Sequence, residues 1–131
     1  MRKINVRKIF SLILAWIIVT SVVDAATVIG VSSVTLTDTQ DSNTGNLVAL
    51  WGTSGKGRLR VKSDNGLKVT AKAMKVNVGW FDQELKSMST TSTSWSSWSA
   101  YFDLTDVDVG YYAKIEGSRS AMGKAELEVS R

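Results

Sequence analysis

Residues 58–73, RLRVKSDNGLKVTAKA, decide how this chain folds. Leu59 and Val61 alternate with Arg58, Arg60 and Lys62. Beyond Asp64-Asn65-Gly66, Leu67, Val69 and Ala71 alternate with Lys68, Thr70 and Lys72. A period of two on either side of a turn-forming triplet is the pattern of two half-buried strands. Read as a hairpin, a two-residue Asn65-Gly66 turn would set Val61 against Thr70, apolar against polar. A three-residue loop pairs Val61 with Val69 and Leu59 with Ala71 and keeps each face uniform. It also gives Gly66 the left-handed position that closes such loops. The expected unit is therefore a hairpin with the loop Asp64-Asn65-Gly66.

Outward from it, the same periodicity continues. Thr27–Thr37 reads as a first strand, with Val34 and Leu36 inward, and a polar loop follows from Asp38 to Asn46. Leu47-Val48-Ala49-Leu50-Trp51 is apolar on both faces and reads as a central strand, with Gly52, Gly55 and Gly57 loosening the chain after it. The apolar phase slips from Ala73 to Met74, Val76, Val78 and Trp80, which predicts a β-bulge at Ala73-Met74. Asp82–Lys86 reads as a charged exit, and ten of the thirteen residues from Ser87 to Ser99 are Ser or Thr. Val107, Val109, Tyr111, Ala113 and Ile115 share one face. After a loop from Gly117 to Gly123, Ala125, Leu127 and Val129 point in. The expectation is an all-β chain of seven or eight strands in a two-sheet antiparallel sandwich, with a small closed barrel as the alternative.

The first 25 residues belong to a different plan. Arg2, Lys3, Arg7 and Lys8 precede an apolar run from Ile9 to Val23, broken only by Ser11, Thr20 and Ser21. A run of this length suits an export signal, since a membrane span needs about 20 residues. Val23-Asp24-Ala25 offers a cleavage site after Ala25, leaving a single domain, 26–131, secreted or at the cell surface; an uncleaved anchor is the alternative. The full chain carries a net charge of +4. Without the signal, 12 basic and 11 acidic residues remain, so the basic balance belongs largely to the signal and does not point to nucleic acid. There is no cysteine and no histidine. Disulfides, thiolate chemistry and His-based catalysis or metal ligation are excluded. Cysteine-free export behind a Lys/Arg-rich leader points to a bacterial source with a single membrane.

Two features stand out as sites. Between residues 56 and 75 lie Lys56, Arg58, Arg60, Lys62, Lys68, Lys72 and Lys75 against Asp64 alone, +6 in a mature chain whose remainder sums to −5. In the hairpin register Lys62 would face Lys68 and Arg58 would face Lys72, and like charges across a ladder cost about 0.2–1 kcal/mol per pair. Neighbouring acidic strands, with Glu126 and Glu128 or Asp106 and Asp108, could neutralise them, or the lysines could protect a sheet edge. The functional reading makes Lys56, Arg58, Arg60, Lys62, Lys68 and Lys72 an anion-binding face for wall polymer, acidic glycan or lipid headgroups. Among the aromatics, Trp51, Trp80 and Tyr111 read as core. Trp95, Trp98 and Tyr112, with polar neighbours, are the candidates for stacking on a ligand.

Trp95-Ser96-Ser97-Trp98-Ser99 resembles the WSxWS motif of class I cytokine receptors. The resemblance implies tryptophans stacked with basic side chains of an adjacent strand, and Arg58 and Arg60 are placed to form such a cation–π ladder. It covers five residues. The chain lacks that family's cysteines and is too short for its two-domain module, so no function is carried over.

Asp38, Asp41, Asn43 and Gly45, and separately Asp103, Asp106 and Asp108, could gather oxygens for calcium, but neither set has the EF-hand spacing. No metal, cofactor or catalytic site is expected. The reading that follows is a secreted, non-enzymatic β-sandwich that acts at the cell envelope by binding an anionic polymer or glycan surface. A bacteriocin-like toxin and a self-associating structural protein are the alternatives.

Overall fold

The computed structural model describes residues 27–131; the expected signal segment and the cut after Ala25 lie outside them. The described residues form nine strands: β1 (Val28–Leu36), β2 (Ser42–Thr44), β3 (Val48–Ala49), β4 (Gly55–Ser63), β5 (Val69–Lys75), β6 (Gln83–Thr90), β7 (Phe102–Leu104), β8 (Gly110–Gly117) and β9 (Gly123–Ser130). One sheet runs β1-β9-β4-β7. The other runs β2-β8-β5-β6, with β3 also on β8, and every pairing is antiparallel. This is the expected two-sheet sandwich, with two short strands on β8 and one strand, β6, built from the presumed charged exit and the start of the Ser/Thr tract.

The core lies between the sheets. Val34, Leu36, Leu59, Val61, Ala125, Leu127 and Val129 come from one, and Val69, Ala71, Ala73, Tyr111, Ala113 and Ile115 from the other. Among the described residues the core runs from Val34 to Val129. Ser32 is fully buried and accepts the Ala113 N–H at 2.9 Å, joining the sheets through one satisfied polar contact.

The hairpin expected at 58–73 is not formed. β4 pairs with β9 and β7, whereas β5 pairs with β6 and β8. Asp64–Lys68 is an arch that carries the chain from one sheet to the other. Alternation reports which residues face the core, and an arch satisfies it as well as a hairpin does: Leu59 and Val61 meet Val69 and Ala71 across the interior rather than side by side. Gly66 does take a left-handed φ of 79°. Asn65 fixes the arch by donating to the Ser120 carbonyl at 2.7 Å and accepting from the Met122 N–H at 3.3 Å. The bulge at Ala73-Met74 is present, as a register shift against β6.

Two further expectations are corrected. Residues 47–51 are not a central strand: only Val48 and Ala49 pair, at the edge of β8, Val48 and Leu50 are buried, and Leu47 and Trp51 face solvent. β5 ends at Lys75, so Val78 and Trp80 lie on a turn and not in a strand phase. Gly55 and Gly57 are strand residues. A Cβ at Gly55 would lie 2.2 Å from the Ser130 carbonyl oxygen, and one at Gly57 would lie 2.8 Å from the Phe102 ring.

Candidate functional site

β4 uses one flank to pair with β9. Its other flank meets β7 only at Gly55–Gly57. The rest of that flank is covered by the serine-rich segment. Ser96 donates its N–H to the Val61 carbonyl at 2.9 Å and accepts the Val61 N–H on Oγ at 3.0 Å. Ser99 does the same for Leu59, at 2.8 and 3.0 Å. Ser63 donates its N–H to the Ser92 carbonyl at 2.8 Å. The small hydroxyl side chains thus replace a missing neighbour strand and satisfy β4 backbone groups that an edge would leave open.

The same spacing lifts the aromatic residues onto the outer face. The Arg58 guanidinium lies 5.1 Å from the ring centre of Tyr101 and 4.6 Å from that of Trp98. Arg60 lies 4.5 Å from Trp98 and 4.4 Å from Trp95, and the Lys62 ammonium lies 5.5 Å from Trp95. The result is a six-member ladder, Tyr101–Arg58–Trp98–Arg60–Trp95–Lys62, in which cations and rings alternate. Each such contact is worth about 0.5–2 kcal/mol. This is the stacking that the WSxWS resemblance implies.

Carboxylates tie the ladder from the β9 side. Arg58 forks onto Glu128, Nε to Oε1 at 2.9 Å and a terminal nitrogen to Oε2 at 3.2 Å. That hydrogen bond, with the charge behind it, raises the Arg58 pKa above its usual value. Arg60 bonds Glu126 at 2.8 Å, while its Nε is buried with no acceptor, between the two indoles.

The cation ribbon is therefore reorganised. Arg58, Arg60 and Lys62 stand on one sheet, and Lys72 on the other. Lys62 faces Lys124, not Lys68, and reaches Asp64 at 3.4 Å. Lys56 holds Asp103 at 2.6 Å. Lys72 holds Glu116 at 3.1 Å and Glu84 at 3.2 Å, which raises its pKa. Burial opposes ionisation of Glu116, but hydrogen bonds from Lys72 and Lys114 outweigh it and hold the carboxyl below its usual range. Of the six anion-binding candidates, five carry a carboxylate partner; Lys68, exposed on the arch, makes no ion pair among the described residues. The shared, unmatched face on which the polyanion reading rested is absent.

The stacking candidates, too, are engaged within the chain. Trp95 and Trp98 are half-buried, and cations lie against both of them from two positions each. Tyr112 is buried, with its hydroxyl on Asp82. Burial, aided by that carboxylate, pushes its pKa up to about 12. The acidic set at 103–108 is not a free oxygen cage either: Asp103 and Asp106 each bind a lysine, Lys56 and Lys75, and Asp108 accepts the Gly52 N–H at 3.3 Å.

The surface that sequence reasoning missed is one end of the sandwich. Antiparallel register brings the start of β1, the end of β9, the start of β4 and the end of β7 together there. The end of β5 meets the start of β8 at the same place. The connecting loops are stitched to one another: Asp108 N–H to the Leu50 carbonyl at 2.7 Å, Val76 N–H to the Gly110 carbonyl at 2.9 Å. On these loops Phe81 is 97% exposed, Val78 91%, Trp80 83% and Trp51 71%. With Val28, Leu47 and Val107, seven of the nine large apolar side chains exposed among the described residues gather at this end. Asn77 closes the 76–82 turn by donating its side-chain amide to the Phe81 carbonyl at 3.2 Å and its backbone N–H to the Asp82 carboxylate at the same distance. Trp51 and Trp80, expected in the core, are thus at the surface, while Tyr111 is fully buried as expected. The signal was available: Asn77, Gly79 and Asp82 bracket the aromatic pair with turn residues, and Gly79 takes a φ of 80°.

No protein-family model matches the chain, and no curated protein matches it. Among solved structures it is similar to the crystal structure of the Yersinia pseudotuberculosis-derived mitogen, at 14% identity over 77% of this chain and 85% of that one, with a TM-score of 0.44.

Proposed function

We propose that this chain is an exported, non-enzymatic β-sandwich that works at the cell envelope by binding an extended surface there, with its apolar loop end as the contact. Three things support the reading: the export signal in the sequence, the absence of histidine and cysteine, and the segregation of exposed apolar side chains. The last carries it. Isolated exposed apolar residues are ordinary, but a gathered set on one end of a small soluble domain marks a contact surface. The cations enter differently than composition suggested: with carboxylates on five of the six, electrostatic attraction is a minor part of the contact.

The test is co-sedimentation of untagged 26–131 with isolated bacterial envelope fragments. The wild type is expected to sediment, and the triple variant Trp51→Ser/Trp80→Ser/Phe81→Ser to stay in solution with an unchanged melting temperature. A wild type that stays in solution, or a triple variant that sediments equally well, overturns the proposal.

A further inference from the structure

Resting on the envelope-binding reading, we infer that the occupant of the apolar end is the lipid bilayer itself, with Trp51, Trp80 and Phe81 seated at headgroup depth. Indole and phenyl rings on exposed turns favour the boundary between headgroups and acyl chains, where one edge is apolar and the other wet. Here they stand on connections between strands, with Phe81 97%, Trp80 83% and Trp51 71% exposed, so the rings are free to enter a deformable bilayer.

Charge supports the same occupant. Charged groups carried toward lipid are costly unless matched. Close behind the apolar end, Lys75 offsets Asp106 and Lys56 offsets Asp103, while Asp82 and Asp108 are satisfied by hydrogen bonds from the Tyr112 hydroxyl and the Gly52 N–H. Each of these carboxylates has a hydrogen-bond donor, and the lysines among them are already paired, so the contact needs no anionic lipid to draw the protein in.

The direction of the chain agrees. Thr27 and Arg131 pair through both backbone groups, at 2.7 and 2.9 Å, on this same end. The apolar run 9–23 therefore connects to the sandwich at the end that carries Trp51, Trp80 and Phe81.

The test uses untagged 26–131, which carries all nine described strands, and protein-free vesicles of phosphatidylcholine alone or mixed equally with phosphatidylglycerol. The protein is expected to partition into both, with little change between low and high salt. Brominated acyl chains are expected to quench its tryptophan emission. Trp51→Ser/Trp80→Ser should abolish that quenching and lower the partition coefficient by about tenfold per residue, while Trp95 and Trp98 still emit. Sedimentation with envelope fragments but no partition into vesicles would leave the envelope reading standing and overturn the bilayer as occupant. Failure on both overturns both. Partition confined to phosphatidylglycerol vesicles and lost in high salt, or unaffected by the double substitution, also overturns the inference.

Discussion

Arg60 stacks over Trp95 with its guanidinium 4.4 Å from the ring centre, and this contact helps close the open edge of the sheet. Trp95 belongs to a segment with no ladder of its own. Ser96 and Ser99 fix that segment to β4 through main-chain hydrogen bonds, and the intervening residues carry the indoles up to the arginines. Cation, ring and carboxylate thus form a lattice over the outer face of β4 and β9, and the residues that looked like a ligand site are engaged with one another.

The two arginines should not contribute equally. Glu128 keeps only 10% of its side chain exposed against 21% for Glu126. Removing Arg58 strands the more buried carboxylate. Arg58→Ala is therefore expected to lower the melting temperature more than Arg60→Ala does. Arg58→Ala/Glu128→Ala should recover part of the first loss, because the stranded charge goes with it. Thermal unfolding and tryptophan fluorescence measure both. An unmoved melting temperature in Arg60→Ala would mean that the stack has no energetic weight.

Ser96 and Ser99 each satisfy a β4 amide with a hydroxyl. Ser96→Ala should leave the Val61 N–H without its Oγ partner, and Ser99→Ala the Leu59 N–H, at about 1–2 kcal/mol each. The specific readout is amide hydrogen exchange: protection at Val61 and Leu59 should fall selectively, while the β9-facing amides of β4 stay protected. Uniform loss along β4, or no loss, would rule out a local edge seal.

Leu59, Val61, Ala125, Leu127 and Val129 were legible as core because a period of two fixes the inward face wherever the strand goes. What it cannot fix is the neighbour. RLRVKSDNGLKVTAKA reads identically as hairpin or arch, and only the choice of partner, β9 rather than β5, sets Arg58 against Glu128 instead of Lys72. The acidic neighbour carrying Glu126 and Glu128 was legible from its alternation, and so was the pairing of tryptophans with arginines. The apolar end was not, because Val76, Val78 and Trp80 keep strand periodicity past the residue where the strand stops. Asn77 and Gly79 ended it, and their turn chemistry was outweighed by the apolar pattern.

If the ribbon cations are structural, neutralising two of them should spare function. Lys56→Gln/Lys72→Gln is expected to bind envelope fragments within about twofold of wild type, since exposed ion pairs contribute little, about 0–1 kcal/mol. A tenfold loss would return the ribbon to the binding surface.

Gly52 and Gly55 stand three residues apart and should respond in opposite ways. A methyl group at Gly55 would collide with the Ser130 carbonyl, which is backbone and cannot swing aside, and with Leu50. Gly52 has open space around it and a left-handed φ of 76°. Gly55→Ala should cost about 3 kcal/mol or more, at the upper end of overpacking losses, and Gly52→Ala about 1 kcal/mol from backbone strain. Equal melting temperatures for the two variants would contradict the close approach of β4 and β9.

Tyr112 sets the behaviour in alkali. Its ordinary value is 10.0, and burial together with Asp82 moves it to about 12. Between those values the unfolded chain releases a proton that the folded chain keeps. The stability contributed by neutral Tyr112 is therefore whole below pH 10 and is lost as the pH rises toward 12. Tyr111, also raised by burial, acts in the same direction. Tyr112→Phe should be less stable than wild type near neutrality, because Asp82 loses its donor, yet its melting temperature should fall less steeply across the alkaline range. Phenolate absorbance should show one fewer late-ionising tyrosine in the variant. Parallel melting curves for the two proteins from neutral pH upward would show that the Tyr112 hydroxyl is free to ionise as it does in water.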